Sequence, residues 1–276
     1  MTARQQTIAS PRTLRGVGLH TGRETVIVMR GAEPGTGIAF HRMDRPGPEI
    51  PARVDHVTGT ASCVALGGDG GVQTVEHLLS AARALGVDNL RVEVDGPEIP
   101  GMDGSALLFA RALREAGLRA QDAPRRVLRV DTPVWVGDGA LGWAVALPAD
   151  RLSITCVVSL REPAAQEQAA SFDTRDDVYE ETIAPARTWG YERDAAALRA
   201  RGLALGASLE NTLAIGGQGF LNAPRFANEP ARHKVLDVLG DLALLGAELR
   251  AAVIAVRAGH TLHVALARAL ATRTEG

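Results

Sequence analysis

Apolar and polar positions alternate through several short segments in the first part of the chain. Residues 23–30 (RETVIVMR) carry the alternation, and residues 36–42 and 60–66 follow with glycines and prolines between them. A period of two residues is typical of a strand that is buried on one face. The pattern therefore predicts that the chain begins with β-structure.

The period changes to that of a helix at residues 74–86 (TVEHLLSAARALG), where apolar residues recur every three or four positions. Thr74 is a candidate N-cap, and Gly86 stands where helices commonly end. A strand over 89–94 and a second helix over 105–117 are predicted to follow.

The second half repeats this order after a polar, proline-containing stretch at 121–126 (QDAPRR), which is typical of a domain joint. The predicted elements are strands over 141–147 and 152–160, a long helix over 231–249, a strand over 249–257 and a helix over 261–271.

The shared order of elements predicts an α+β fold made of two similar two-layer α/β sandwich domains that arose by an apparent duplication. We place the domains at residues 1–122 and 123–276. Two such units packed together leave a cleft between them, and clefts of this kind commonly hold ligand sites. The active site is therefore expected in that cleft.

Composition narrows the class of protein. Apolar residues make up 46% of the chain, enough for a full core, and the net charge of -2 gives no basic field for nucleic acid. Cys63 and Cys156 are too few for a disulfide framework, and no run of about 18 apolar residues occurs. We expect a cytoplasmic monomer that binds no nucleic acid and has no stable membrane insertion.

The predicted helix over 231–249 is apolar around most of its circumference, which indicates burial. His233, Asp237 and Asp241 interrupt it at intervals of four residues and so lie on one stripe. A buried carboxylate is costly unless it is paired or bound to a metal. A histidine and a carboxylate one turn apart can supply two ligands, although such a pair also occurs on solvated helices.

Zinc in hydrolases usually takes three protein ligands and a water, so a third ligand must come from elsewhere. His77 begins the equivalent helix of the first half, with Glu76 beside it as a candidate base. His260 follows Gly259 in a predicted turn, where it could cap a helix or act in a site, and Asp241 could orient it. A metal site and a solvated surface pair both stay open from these residues.

Other histidines and arginines carry weaker signals. His20 lies between glycines in GVGLHTG (16–22) as a turn residue or part of a phosphate loop. We assign His41, His56 and His263 to structural roles, and the pair Arg125 and Arg126 to the solvated joint.

Five stretches closely resemble the zinc-dependent UDP-3-O-acyl-N-acetylglucosamine deacetylases of lipid A biosynthesis, and they stand in the same order. They are GVGLHTG (16–22), TVEHLLSAARALGVDN (74–89), GPEIPGMDGSA (96–106), RHKVLDVLGDL (232–242) and AGH (258–260). The resemblance runs over nearly the whole chain and is weak over 137–183. It implies two α+β sandwich domains with the active site between them.

The resemblance also implies roles for individual residues. It makes His77, His233 and Asp237 the zinc ligands. It makes Glu76 the base and His260 the acid, with Thr188 of ARTWG at the oxyanion and Asp241 in support. Lys234, Arg257, Trp189 and His20 are the implied substrate-binding residues. Fe²⁺ suits the same ligands as Zn²⁺.

The implied substrate is a UDP-linked acylated amino sugar whose acetamide is hydrolysed. Trp189 stands where the family usually has phenylalanine, and Gly101 where a bulkier apolar residue is common. These departures bear on acyl-chain fit. Two alternatives are a zinc amidase for another acylated amino sugar and a non-catalytic relative that only binds zinc or a nucleotide sugar.

Overall fold

The computed structural model describes residues 3–161, 167–174 and 177–272. The strands are β1 (Arg4–Ile8), β2 (Arg12–Val17), β3 (Glu24–Gly31), β4 (Ile38–Arg42), β5 (Ile50–Pro51), β6 (Val57–Gly59), β7 (Ala65–Leu66), β8 (Val72–Gln73), β9 (Leu90–Val94), β10 (Leu118–Pro124), β11 (Val127–Arg129), β12 (Val134–Asp138), β13 (Gly142–Pro148), β14 (Ser153–Ser159), β15 (Glu167–Asp173), β16 (Trp189–Tyr191), β17 (Leu213–Gly216), β18 (Gly219–Phe220) and β19 (Glu248–Val256). The helices are α1 (Glu76–Ala84), α2 (Leu107–Glu115), α3 (Tyr179–Thr182), α4 (Ala195–Ala200), α5 (Glu229–Ala243) and α6 (His260–Ala271).

One sheet in the first half has the strand order β2-β3-β9-β4-β5. β9 lies between β3, its antiparallel neighbour, and β4, its parallel neighbour. Residues along β3 alternate between buried and partly exposed positions, as its sequence pattern predicts. This confirms the predicted strands over 23–30, 36–42 and 89–94.

The main sheet of the second half has the order β12-β13-β19-β14-β15, with β11 also pairing with β19. β19 is antiparallel to β13 and parallel to β14, so the pairing directions repeat those of the first sheet. The α+β class and the shared element order are therefore confirmed. An origin by duplication stays a prediction, as do the domain limits 1–122 and 123–276.

The helices bring the two halves together. α5 packs on β14 and β15, α6 packs on β12 and β13, and α1 contacts both α2 and α5. One continuous apolar core includes buried residues of all these elements. At the crossing of α1 and α5, a Cβ added to Gly240 would lie 2.1 Å from the carbonyl oxygen of Glu76. The two helix backbones thus touch at a position where only glycine fits.

The stretch between the halves differs from the predicted solvated joint. Residues 118–124 form β10, which pairs antiparallel with β1 near the beginning of the chain. Arg125 is partly buried and donates to a carboxylate oxygen of Asp88 at 2.9 Å and to the carbonyl of Gly86 at 2.7 Å. The prediction for Arg125 was therefore wrong, because the side chain of Arg125 holds the end of β10 against the turn after α1.

Three predictions of local structure also need correction. The predicted strand over 60–66 is reduced to β7, because Ser62 takes a left-handed φ of 71° that interrupts an extended chain. Thr74 is not the N-cap of α1; Val75 is, and the hydroxyl of Thr74 donates to Glu98 at 2.9 Å. The helix predicted over 231–249 ends at Ala243, and the left-handed Gly246 separates it from β19.

Within the part of the chain that the structure describes, no helix has both the length and the apolar character needed to span a membrane.

Candidate active site

The crossing of α1 and α5 collects the predicted metal ligands at one buried point. His77 comes from the first turn of α1, and His233 and Asp237 come from successive turns of α5. Each offers one ligand atom, and these atoms all lie within 4.8 Å of one another. The imidazole rings of the two histidines stand nearly perpendicular, with centroids 5.0 Å apart.

Neighbouring groups orient two of these side chains. The Nδ1–H of His233 donates to the carbonyl of Ala186 at 3.0 Å, which leaves Nε2 as an acceptor 3.3 Å from Oδ1 of Asp237. Lys234 donates to the other oxygen, Oδ2, at 2.6 Å. Oδ1 of Asp237 is buried with no hydrogen-bond partner among the described residues. An unpaired carboxylate oxygen beside histidine Nε2 atoms fits a divalent transition metal.

The protonation states of these three side chains also fit a metal site. Burial lowers the pKa of His77 to about 3, and burial also lowers the pKa of His233. Burial opposes ionisation of Asp237, but the charge of Lys234 holds the pKa of this carboxyl below its usual range. Neutral imidazoles and an ionised carboxylate are the forms that bind a metal.

Glu76 directs one carboxylate oxygen towards this cluster. Its Oε2 accepts the backbone N–H of Val64 at 3.1 Å, while Oε1 lies 3.8 Å from Nε2 of His260. Burial raises the pKa of Glu76 to about 7, although the nearby His260 opposes that shift. A carboxyl with such a pKa can take up a proton near neutral pH.

His260 faces the same point from the first position of α6, and the N-cap of this helix is Gly259. Its Nδ1–H donates to Oδ2 of Asp241 at 2.8 Å, and its Nε2 lies 3.9 Å from Asp237. Burial lowers the pKa of His260, but the carboxylate of Asp241 outweighs it and raises the pKa to about 9. The imidazole is therefore protonated at neutral pH.

The contact of His263 is compatible with the structural role predicted for it. Its Nδ1–H donates to the same Oδ2 of Asp241, also at 2.8 Å. Asp241, His260 and His263 form a second set of groups close enough to hold a metal, but their nearest atoms already hydrogen-bond one another. The spacing of His260 and His263 in one turn of helix was the signal available in the sequence.

The segment with Thr188 and Trp189 runs beside α5. Ala186, two residues before Thr188, is the carbonyl partner of His233, and Trp189 begins β16 and packs edge-on against Tyr191. Arg187 carries no signal in the sequence. Its guanidinium forms a buried ion pair with Glu229 at 2.9 Å, which attaches this segment to the first turn of α5.

His20 is buried in the loop after β2, and its Nε2 has no hydrogen-bond partner among the described residues. The charge of His260 reaches His20 and contributes to lowering its pKa, after the larger effect of burial. Glu98, also missed from the sequence, is fully buried and accepts the backbone N–H groups of His20 and Thr21, each at 2.8 Å. This carboxylate fixes the loop beside the site.

Arg257 is exposed at the end of β19, with a left-handed φ of 51°. Its guanidinium donates to the carbonyl of Gly139 at 3.3 Å. It lies three residues before His260 in the chain.

The sequence has clear relatives. The family model described as UDP-3-O-acyl N-acetylglycosamine deacetylase matches residues 5–272. The protein named UDP-3-O-acyl-N-acetylglucosamine deacetylase in Anaeromyxobacter sp. (strain Fw109-5) is 44% identical, over 96% of this chain and 87% of the relative. The protein of the same name in Myxococcus xanthus is 41% identical, over 96% of this chain and 85% of the relative. The relative from Leptospira biflexa is 37% identical over 99% and 91%. The chain therefore belongs to the UDP-3-O-acyl-N-acetylglucosamine deacetylase family.

Proposed function

We propose that this chain hydrolyses the N-acetyl group of UDP-3-O-acyl-N-acetylglucosamine, giving UDP-3-O-acyl-glucosamine and acetate in the committed step of lipid A biosynthesis. The supporting observation is the convergence of Glu76 and His260 on the buried cluster of His77, His233 and Asp237, in a member of this family. The cytoplasmic location and monomeric state stay predictions.

His77, His233 and Asp237 would hold the metal, which we propose is Zn²⁺, with Fe²⁺ as the alternative for the same donors. When bound, the ion would polarise the acetamide carbonyl and lower the pKa of the attacking water. Lys234 keeps Oδ2 of Asp237 occupied, so that Oδ1 is the oxygen left free to ligate.

Glu76 is the proposed general base. The N–H of Val64 holds its Oε2, so Oε1 is the atom that takes the proton as water attacks the carbonyl carbon. We propose that Thr188 stabilises the oxygen that becomes negative in this step, because its segment is fixed to α5 through Arg187 and Glu229.

His260 is the proposed acid. Asp241 holds its Nδ1, so the proton available to the substrate is on Nε2, which faces Glu76 and Asp237. Transfer of this proton to the glucosamine nitrogen lets the C–N bond break and acetate leave.

Apolar side chains beside the His20 loop give the acyl chain a surface. Val17, Leu205 and Leu209 are exposed, and the N–H of Leu205 donates to the carbonyl of His20 at 3.1 Å. We propose that the acyl chain lies along this surface, with His20 and Trp189 contacting the sugar and Arg257 near the diphosphate.

The test is acetate release from UDP-3-O-acyl-N-acetylglucosamines of several chain lengths, with and without a chelator. We expect release that the chelator abolishes. Glu76→Gln should keep its metal and lose about 10²–10⁴-fold in turnover. No release from any substrate would contradict the proposed function, and release only from other acetylated amino sugars would favour the amidase alternative.

The ligand assignment has a separate test. His77→Ala, His233→Ala and Asp237→Ala should each lose stoichiometric metal, measured by elemental analysis of the purified protein. His56→Ala is the matched control, because His56 lies in a 3-10 helix away from the cluster and should keep its metal. A variant that retains one metal ion per chain would exclude the replaced residue as a ligand.

A further inference from the structure

A second cavity lies away from the candidate active site, between the far ends of the two helices that supply its metal ligands. It measures about 180 Å³. Arg83, in the last turn of α1, and Ala243, the last residue of α5, both line it. At 1.5 Å per residue, Arg83 lies about 9 Å along α1 from His77.

Positive charge dominates the lining of this cavity. Arg53, Arg83 and Arg126 line it, and Asp88 is the acidic residue of the lining. Asp88 is already occupied, because its Oδ2 accepts from Arg125 at 2.9 Å and from the backbone N–H of Gln6 at 2.8 Å. Arg53 pairs with Asp55 at 3.4 Å near the surface, so the lining holds two arginines, Arg83 and Arg126, that pair with no carboxylate among the described residues.

Arg83 is the only one of the three arginines that is partly buried. Its side chain makes no hydrogen bond and no ion pair with any residue in the ranges 3–161, 167–174 and 177–272. Burial lowers its pKa, and the charges that reach it are those of Asp88, Glu248 and Arg125. Glu248 is engaged by Arg250 at 3.1 Å, so neither carboxylate is reserved for Arg83.

Capping of the last helix carbonyl groups does not account for the three arginines. A cation at the end of a helix stabilises its last carbonyl groups. Here backbone N–H groups already occupy these carbonyls, from Gly86 to Arg83, from Val87 to Ala82 and from Gly246 to Ala243. Several arginines around one cavity are a usual means of binding phosphate, since each guanidinium group can donate two parallel hydrogen bonds.

We propose that this cavity binds the phosphate group of a small phosphorylated molecule, held by Arg53, Arg83 and Arg126. Arg53 and Arg83 come from the first half of the chain and Arg126 from the second, so the bound phosphate joins the two halves at the side opposite the metal ligands. Nothing in the proposed deacetylation uses these arginines, and the site is independent of that reaction.

The test uses inorganic phosphate as the probe and the full, metal-loaded chain, with ionic strength held constant by NaCl. Amide hydrogen exchange should slow in residues 83–89 and 243–247 as phosphate is added. Arg83→Gln and Arg126→Gln should each weaken the apparent phosphate affinity at least tenfold. Arg111→Gln, an exposed arginine on α2, is the matched control and should bind like the parent.

Arg126 is exposed, so its variant tests the site even if Arg83→Gln folds poorly. Equal affinity in the parent and both variants would overturn the proposal. So would protection limited to residues 76–77 and 233–237, because phosphate would then bind only in the catalytic cleft. An absence of protection at any phosphate concentration would overturn it as well.

Discussion

At the scale of single residues, one oxygen atom of Asp241 fixes the orientation of His260, the proposed acid. Oδ2 of Asp241 accepts from both His260 and His263, each at 2.8 Å, and Asp241 itself is fully buried. With two donors on one oxygen, neither the carboxylate nor the imidazole of His260 can rotate without breaking a buried hydrogen bond. The direction of Nε2 of His260 is therefore fixed before substrate arrives.

The same carboxylate predicts the pH dependence of the reaction. Asp241 raises the pKa of His260 to about 9, so turnover that needs protonated His260 should fall as pH rises through about 9. Asp241→Asn removes the negative charge, lowers the pKa of His260 and should move this alkaline limb to lower pH. The measurement is the pH profile of kcat/KM, and an unmoved limb would exclude the role of Asp241.

The sequence could predict the residues whose partners are close along the chain. His233, Asp237 and Asp241 follow from helical spacing in an apolar helix, and Glu76 and His77 from the equivalent helix. Arg187 pairs with Glu229 across 42 positions, and Glu98 accepts from His20 across 78. No local pattern marks such contacts, because they depend on how distant segments pack.

At the scale of elements, the first turn of α5 is fixed by a buried ion pair. Glu229 is fully buried and accepts from the backbone and side chain of Arg187, and also from the backbone N–H of Arg225 at 2.6 Å. The pair holds the segment with Thr188 to the helix that carries His233. The position of that segment therefore depends on charges outside the site.

Arg187→Met should be strongly destabilising, because it leaves the carboxylate of Glu229 buried without its cation. Removing one partner of a buried pair costs about 3–5 kcal/mol, and urea unfolding measures the loss. Arg30→Met breaks the more exposed pair of Arg30 with Glu93 and serves as the control, with an expected cost below about 1 kcal/mol. Equal losses in the two variants would contradict this assignment.

Element predictions failed where a local turn or a strand distant in sequence overrode the pattern. Alternation over 60–66 was interrupted by the turn at Ser62, and the polar stretch at 121–126 became mostly strand because β1 lies beside it. Long periodic segments such as α1 and α6 were found with their ends within about two residues, which is normal for helix boundaries.

At the scale of the whole molecule, the two halves meet where α1 crosses α5, and Gly240 sets their separation. A Cβ there would lie 2.1 Å from the carbonyl of Glu76 and 3.1 Å from its Cα. The proposed metal ligands come from both helices, so any displacement at the crossing changes the distances between their ligand atoms. The site depends on this contact although Gly240 contributes no side chain.

Gly240→Ala should therefore lower both stability and metal affinity. Forcing a methyl group against fixed backbone costs about 1–3 kcal/mol, measured by unfolding of the metal-free chain, and metal affinity is measured by competition with a chelator. Gly217→Ala is the control, because a Cβ there meets no atom within 4 Å. Unchanged metal affinity in Gly240→Ala would show that the crossing does not set the ligand spacing.

In both main sheets the central strand is the last of its sheet in chain order, β9 in one and β19 in the other. During synthesis, β13 and β14 leave the ribosome long before the strand that joins them, so both present unpaired edges that invite wrong pairing. His233 and Asp237 also emerge before β19 and α6. The proposed metal donors of a nascent chain are therefore synthesised before the sheet beneath α5 is complete. The finished site can bind its metal only after β19 has joined that sheet.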